Sequence, residues 1–203
     1  MRCTDACVYP YPAGDSSLRR MALTARELGF DSIVAAVPAG GNVAGIEVIP
    51  LSVHGRGGSC GTRALVAAQA GDYATNRALI QSGHVRIIRG IQSAPRNSFD
   101  HVLSRLAAEK GVAVDIDISA IVFERGQARQ RAIQRYAEIA RFAGKFSFPL
   151  TLSSGARSVL GMRSPREMAA LAGLFGLDRE DVRAALGAVS ALLFPESPVE
   201  VVG

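Results

Sequence analysis

With 203 residues, 48% of them hydrophobic and 20% charged, the chain has the size of one domain around a substantial core; two full domains would be cramped, and a disordered chain would be less apolar. Lys and Arg outnumber Asp and Glu by 23 to 18, giving a net charge of +5 and an isoelectric point near 9.6, a balance that favours a polyanionic partner without requiring one. No run reaches the roughly 18 to 20 uncharged apolar residues of a spanning helix, and the opening MRCTDACVYPYPAGDSS lacks the apolar segment of a secretory signal, so the expectation is a cytoplasmic protein with no membrane contact.

In chain order, the first predicted strand is CTDACV (3–8), closed by the Pro-rich YPYPAG. Asp15 or Ser16 is the expected cap of a helix through LRRMALTAREL, where Leu18, Met21, Ala22, Ala25 and Leu28 recur at helical spacing and Gly29 ends the run. SIVAAV (32–37) reads as a strand, PAGGN as a turn, and GIEVIPLSV (45–53) as the next strand. A Gly-rich stretch, HGRGGSCG, then precedes ALVAAQA, which is read as a strand despite its Ala content. TNRALIQSG is predicted helical and VRIIRG (85–90) a strand. Ser98 is the expected cap of FDHVLSRLAAEKG, with Phe99, Val102, Leu103 and Leu106 on one face.

VAVDIDISAIV (112–122) alternates with a period of two, which predicts one long strand with Asp115 and Asp117 on the same side. Residues 126–143 are predicted as the longest helix, with Ile133, Ala137 and Ala140 inward and Arg131, Arg135, Glu138 and Arg141 outward. PLTLSS (149–154) is the last strand, and two helices follow it, SPREMAALAGLFG and DREDVRAALG, with capping signals at Ser164 and Asp178. Strands alternating with helices over the whole length predict a single α/β domain over residues 1–203, either a small closed barrel or an open doubly wound sheet. Neither GxGxxG between a strand and a helix nor GxxxxGK[ST] is present, which argues against a dinucleotide or P-loop site.

Few residues stand in a catalytic or ligand-binding pattern. The three histidines, His54, His84 and His101, stand in no metal-ligand spacing. The three cysteines, Cys3, Cys7 and Cys60, form no CxxC pair and are expected to be buried reduced thiols. Asp115 and Asp117 could hold a cation or form an acid–base pair, but without evident partner ligands a polar layer or solvent is the simpler expectation. Ser153 and Ser154 lie outside any GxSxG elbow, so a turn or capping role is expected of them rather than nucleophilic attack. Of the basic residues only Lys110 and Lys145 are Lys; an Arg bias suits phosphate and base recognition, though a GC-rich genome would produce it too.

Three ordered motifs, FDHVLSRLAAEKGVAVDIDIS, PLTLSSGA and MRSPREMAALAGLFGLDREDVRAAL, resemble archaeal ribonuclease P protein component 3, the counterpart of the eukaryotic thirty-kilodalton subunit. TDACVYPYPAGDSSLRRMALTARELGFDSIV resembles the family's amino-terminal strand, turn and first helix, and GIEVIP and the Asn76-Arg77 dipeptide fall in the family's order. The resemblance implies a TIM-like (β/α) barrel related to the polymerase-and-histidinol-phosphatase barrels. Where that superfamily holds metals through HxH and DAH-type motifs, this chain has Cys7 and Tyr9, and Gly155 and Arg157, so no metal and no catalytic residue is expected. HGRGGSCGT (54–62) is too short and too Gly-rich for the helix that relatives carry there, which points to an incomplete or distorted barrel at that place.

The resemblance further implies that the complex removes the 5′ leader of precursor tRNA, and that the RNA component performs the hydrolysis with its own Mg²⁺. The chain would bind no cofactor. Its implied partners are the ribonuclease P RNA, protein component 2 in an assembly with two copies of each, other protein subunits, and precursor tRNA through the complex. Arg77, Arg96, His101, Lys110 and Arg163 are the RNA- or partner-binding residues the resemblance implies, each with surface solvation or helix capping as its simpler role. The reading set against this one is a divergent metal-dependent phosphoesterase on the same barrel, using Asp5, Asp115 and Asp117.

Overall fold

A computed structural model describes residues 2–53 and 64–193. Its elements run β1 (Thr4–Val8), α1 (Leu18–Leu28), β2 (Ser32–Ala35), β3 (Gly41–Val43), β4 (Ile46–Val53), β5 (Leu65–Gln69), α2 (Tyr73–Gln81) and β6 (Ile87–Arg89). They continue with α3 (His101–Lys110), β7 (Ala113–Asp117), the one-turn α4 (Ser119–Val122), α5 (Gly126–Phe146), β8 (Leu150–Ser153), α6 (Pro165–Ala172) and α7 (Arg179–Leu193). Short 3-10 turns at Ile91–Ser93, Arg96–Ser98, Val159–Gly161 and Gly173–Phe175 fill the connections.

Seven strands pair in parallel in the order β1-β2-β4-β5-β6-β7-β8, and β3 folds back antiparallel on β4. The two ends of the sheet approach each other, and the seam is closed at the C-terminal ends of β8 and β1. Tyr9 N donates to Ala156 O at 2.7 Å and Gly155 N to Cys7 O at 3.1 Å, with a single parallel bridge between Val8 and Ala156. The architecture is therefore a nearly closed (β/α) barrel. The expected distortion at 54–62 falls outside the described residues, and β4 and β5 on either side of it are paired from Leu51 with Leu65 to Val53 with Ala67.

Two apolar clusters hold the barrel. The larger one packs the helices onto the outer face of the sheet, around Ile33, Val48, Ile88, Val114, Ile116 and Leu152. The smaller one takes Cys7, Val34, Ile49, Leu51, Leu65, Ala67, Ile87 and Ala113 from several strands, and Val189 and Leu192 of α7 join it. Strand side chains alternate between faces, so Ile87 shares a side with Arg89, and Ala113 with Asp115 and Asp117. The barrel interior thus turns polar toward the C-terminal ends of β6 and β7, where Arg89, Asp115 and Asp117 stand.

Several predicted boundaries move for local reasons. The cap of α1 is Ser17, whose side chain accepts from Arg20 N, while Ser16 is buried and its hydroxyl accepts from Val159 N at 3.2 Å. Asp100, not Ser98, caps α3 by accepting from Val102 N and Leu103 N. Val102 is exposed, and Leu103, Ser104 and Ala107 form the buried face. The run 112–122 is strand only through Asp117, because Asp117 Oδ1 accepts from Ser119 N at 2.9 Å and turns the chain into α4. PAGGN is not a plain turn but leads into β3. On α5 the buried face is Ala132, Arg135, Tyr136 and Ile139, with Ile133, Ala137 and Ala140 only half-buried beside it.

Arg135, expected in solvent, is 6% exposed; it pairs with Glu138 at 2.5 Å and donates to Ser98 Oγ at 3.2 Å. The caps at Ser164 and Asp178 form as expected: Ser164 and Glu167 make a reciprocal capping box, and Asp178 Oδ1 accepts from Glu180 N and Asp181 N.

Candidate functional site

Enzymes built on such barrels carry their chemistry at the C-terminal ends of the strands, and here that mouth is filled by a guanidinium. Arg89, the last residue of β6 and 8% exposed, lies among side chains from β1, the turn after it and β7. Its Nε donates to Asp115 Oδ2 at 2.9 Å, its Nη1 to Tyr9 Oη at 2.7 Å and to Cys7 Sγ at 2.9 Å, and its Nη2 stands 3.8 Å from Asp117 Oδ2. Asp115 is fully buried and also accepts from Thr151 Oγ1 at 2.9 Å and Ser153 Oγ at 2.7 Å.

A second carboxyl, Asp5, sits at the β1–β8 seam. It accepts from Ser154 Oγ at 2.6 Å, Ser154 N at 2.9 Å and Cys7 N at 3.2 Å. Burial pushes Asp5 up to about 7, against the pull of those donors. Burial also raises Asp117, with the Asp115 charge adding to it, and pushes the Cys7 thiol up to about 12 and the Tyr9 phenol to about 12. Ser153 and Ser154 therefore spend their hydroxyls on carboxyl groups, Asp115 and Asp5 respectively. Gly155 completes the seam at φ +60, where a Cβ would overlap the Asp117 carboxylate.

Of the residues singled out by sequence, Asp115, Asp117 and Asp5 enter this network, and Asp115 makes the buried polar layer that was the simpler expectation. Cys7 is buried and free, Cys3 is free but only half-buried, and Cys60 and His54 lie outside the described residues. The basic candidates lie elsewhere. Arg77 is exposed on α2, and Arg96 is exposed in the turn Arg96–Ser98. These two elements are tied by Asn76, which is fully buried and donates to Ser98 O at 2.8 Å and Gly71 O at 3.2 Å while accepting from Gly71 N. His101 and Lys110 are exposed at opposite ends of α3. Arg163 stands apart, donating to Leu160 O at 2.9 Å and Met162 O at 2.8 Å, and so braces the turn before α6. The candidates form no single patch.

Sequence reasoning passed over Arg89, although its parity with Ile87 in VRIIRG puts it on the barrel's inner side. It also passed over the exposed groove beside the mouth, where Phe123 is 60% and Leu160 85% exposed. No helix among the described residues is long and apolar enough to cross a membrane.

Fold and mouth together define a nearly closed (β/α) barrel with an internal arginine at its polar centre. Among solved structures of that architecture, crystal structures of metal-dependent tyrosine phosphatases from Bacillus subtilis and Streptococcus pneumoniae match it with a TM-score of 0.59 at 14% identity, over 94% of each chain. A family model described as RNase P subunit p30 matches residues 60–196, and the chain belongs to that family of ribonuclease P protein subunits. Ribonuclease P protein component 3 of Methanococcoides burtonii is 30% identical over 154 residues, which are 75% of this chain and 61% of that protein's length. A chain in the cryo-EM structure of archaeal ribonuclease P with mature tRNA superposes with a TM-score of 0.75 at 15% identity, covering 94% of this chain and 89% of that one.

Proposed function

We propose that this chain works in ribonuclease P as a binding subunit: it supplies cations to RNA and surfaces to neighbouring proteins, and the removal of the 5′ leader from precursor tRNA is carried out by the RNA component with Mg²⁺. Family membership supports the assembly, and the Arg89 network supports the absence of chemistry in this chain. A catalytic metal site needs several deprotonated donors converging on an open position. At this mouth the donors converge on a guanidinium instead. Asp115 is saturated by Arg89, Thr151 and Ser153; Cys7 carries a thiol whose proton burial retains; and Asp5 faces Ser154. These residues do not fit a divalent ion, which weighs against the phosphoesterase reading built on Asp5, Asp115 and Asp117.

On this reading Arg77, Arg96, His101 and Lys110 are RNA or subunit contacts on one side of the barrel, reached from α2, the turn before α3, and α3 itself. The expected partners are the ribonuclease P RNA, protein component 2 and the other protein subunits. Reconstitution tests the proposal. The chain added to the RNA and the remaining proteins should lower both the Mg²⁺ and the salt needed for cleavage of precursor tRNA, with the cleavage position unchanged, because guanidiniums on phosphates take over the neutralisation that condensed counterions otherwise supply. Turnover of precursor tRNA or a simple phosphoester by the pure chain with added Mn²⁺, abolished by Asp117→Ala, would overturn it.

A further inference from the structure

We infer that the groove between the segments following β7 and β8 receives an unpaired RNA nucleotide, its base against Phe123 and Leu160 and its phosphate among the surrounding arginines. This rests on the binding-subunit reading and gives it a place and a ligand chemistry. The groove, about 340 Å³, is lined by Ser119, Phe123, Gly155, Arg157, Leu160 and Gly161 among others. Phe123, at the end of α4, lies against Gly161, whose absent Cβ would stand 3.5 Å from the Phe123 ring. Large apolar side chains left this exposed, within a polar rim, mark a surface that is covered in use.

The rim indicates what covers it. Arg129 donates to Glu124 O at 2.9 Å and Val122 O at 3.4 Å, on either side of Phe123. Arg157 donates to Ala13 O at 2.7 Å, with its guanidinium 4.7 Å from the centre of the Tyr9 ring. Arg163 donates to Leu160 O and Met162 O. All three side chains are held by main-chain carbonyls, so their charges are fixed in place before a ligand arrives. Among the described residues none of the three makes an ion pair; Glu167 influences Arg163 electrostatically but is committed to the Ser164 cap.

A protein covering Phe123 and Leu160 would have to bring carboxylates of its own for three guanidiniums. A nucleotide carries the anion and a flat stacking face in one unit. Bases of any identity stack on an aromatic ring, and the guanidinium fork matches phosphate oxygens. A duplex keeps its bases stacked inside, so the ligand is an unpaired position of the RNA.

Two measurements test this. Phe123 is replaced by the photocrosslinker p-benzoylphenylalanine in the full chain, which is reconstituted with the RNA and the other subunits and irradiated. The crosslink is expected on an unpaired nucleotide; a crosslink to another protein subunit, or none from an active complex, would overturn the inference. Separately, binding of the full-length chain to a fluorescein-labelled ten-nucleotide oligouridine and to a duplex of the same length is compared. Phe123→Ala should weaken oligouridine binding about tenfold, leaving duplex binding and the melting temperature unchanged. Equal effects on both ligands, or no effect on either, would sink the base-stacking site. If Phe123→Ala is silent while the wild-type chain still restores activity to the complex, this inference fails and the subunit reading stands; if the wild-type chain restores nothing, both fail.

Discussion

The centre of the barrel mouth and its rim use the same residue type to opposite ends. Arg89 in the centre is buried and meets Asp115, Asp117, Cys7 and Tyr9. Arg129 and Arg157 on the rim are exposed, Arg163 is half-exposed, and all three donate to main-chain carbonyls, Arg157 also lying over the Tyr9 ring. A charge removed from water must find its countercharge inside the protein, whereas one left at the surface is available to a partner. The difference separates a guanidinium that holds the fold from guanidiniums that face outward, and variants at each place test it.

The largest effect is expected at Arg89. Replacing it with Met keeps much of the volume but leaves Asp115 and Asp117 without their cation in a buried site, at a cost of roughly 3 to 5 kcal/mol of stability. Urea denaturation of the purified chain measures this. Arg89→Lys should recover part of it, since Lys restores the charge but not the fork that reaches Asp115, Tyr9 and Cys7 together. A loss under about 1 kcal/mol for Arg89→Met would mean that the centre does not depend on its internal cation and that the contrast with the rim is false.

Asp5 tests the seam beside that centre through pH. Its carboxyl is raised from 3.8 to about 7 by burial, so the folded protein favours the protonated form. The associated stability is complete below about pH 4 and is lost as pH rises through 7, by an upper bound of about 4 kcal/mol. Asp5→Asn keeps a neutral group that can still accept from Ser154 N and Cys7 N and can donate to Ser154 Oγ. The variant should therefore gain on the wild type between pH 4 and pH 8, as followed by denaturant midpoints across that range. Asp117, raised in the same direction, is common to both proteins and cancels in the difference. A pH-independent difference would show that Asp5 ionises at its ordinary value.

The alternation of strands and helices, the period-two run through Asp115 and Asp117 and the capping box at Ser164 were legible because each is a local signal. The motifs shared with the ribonuclease P family carried the functional reading. What could not be read locally depends on partners distant in sequence. Arg89 reaches Cys7 and Tyr9 across the barrel, Asp5 meets Ser154 only where the two ends of the sheet come together, and Arg135 is drawn inward by Ser98 although its helix pattern places it in solvent. The C-terminal end of the run 112–122 departs from its pattern for a different reason. Asp117 competes for the backbone N–H of Ser119 and ends the strand, a side-chain effect that apolar periodicity does not register.

The smallest effects belong to Arg163 and Arg77, and they differ in kind. Arg163 has two bonds to carbonyls at the turn before α6, so Arg163→Ala should cost on the order of 1 kcal/mol in the isolated chain and also weaken RNA binding. Arg77 is exposed on α2, beside the buried Asn76 that ties the helix to Ser98, and its own side chain has no ion-pair partner among the described residues. Arg77→Ala should leave the melting temperature within the scatter of an ordinary surface substitution. In the reconstituted complex the same variant should reduce the dependence of log affinity on log salt by about one, the share of a single phosphate contact. Cleavage of precursor tRNA would then need more Mg²⁺ while occurring at the same position. An unchanged salt slope with normal melting would place Arg77 among solvated surface residues and move the search for RNA contacts on that side to Arg96 and Lys110.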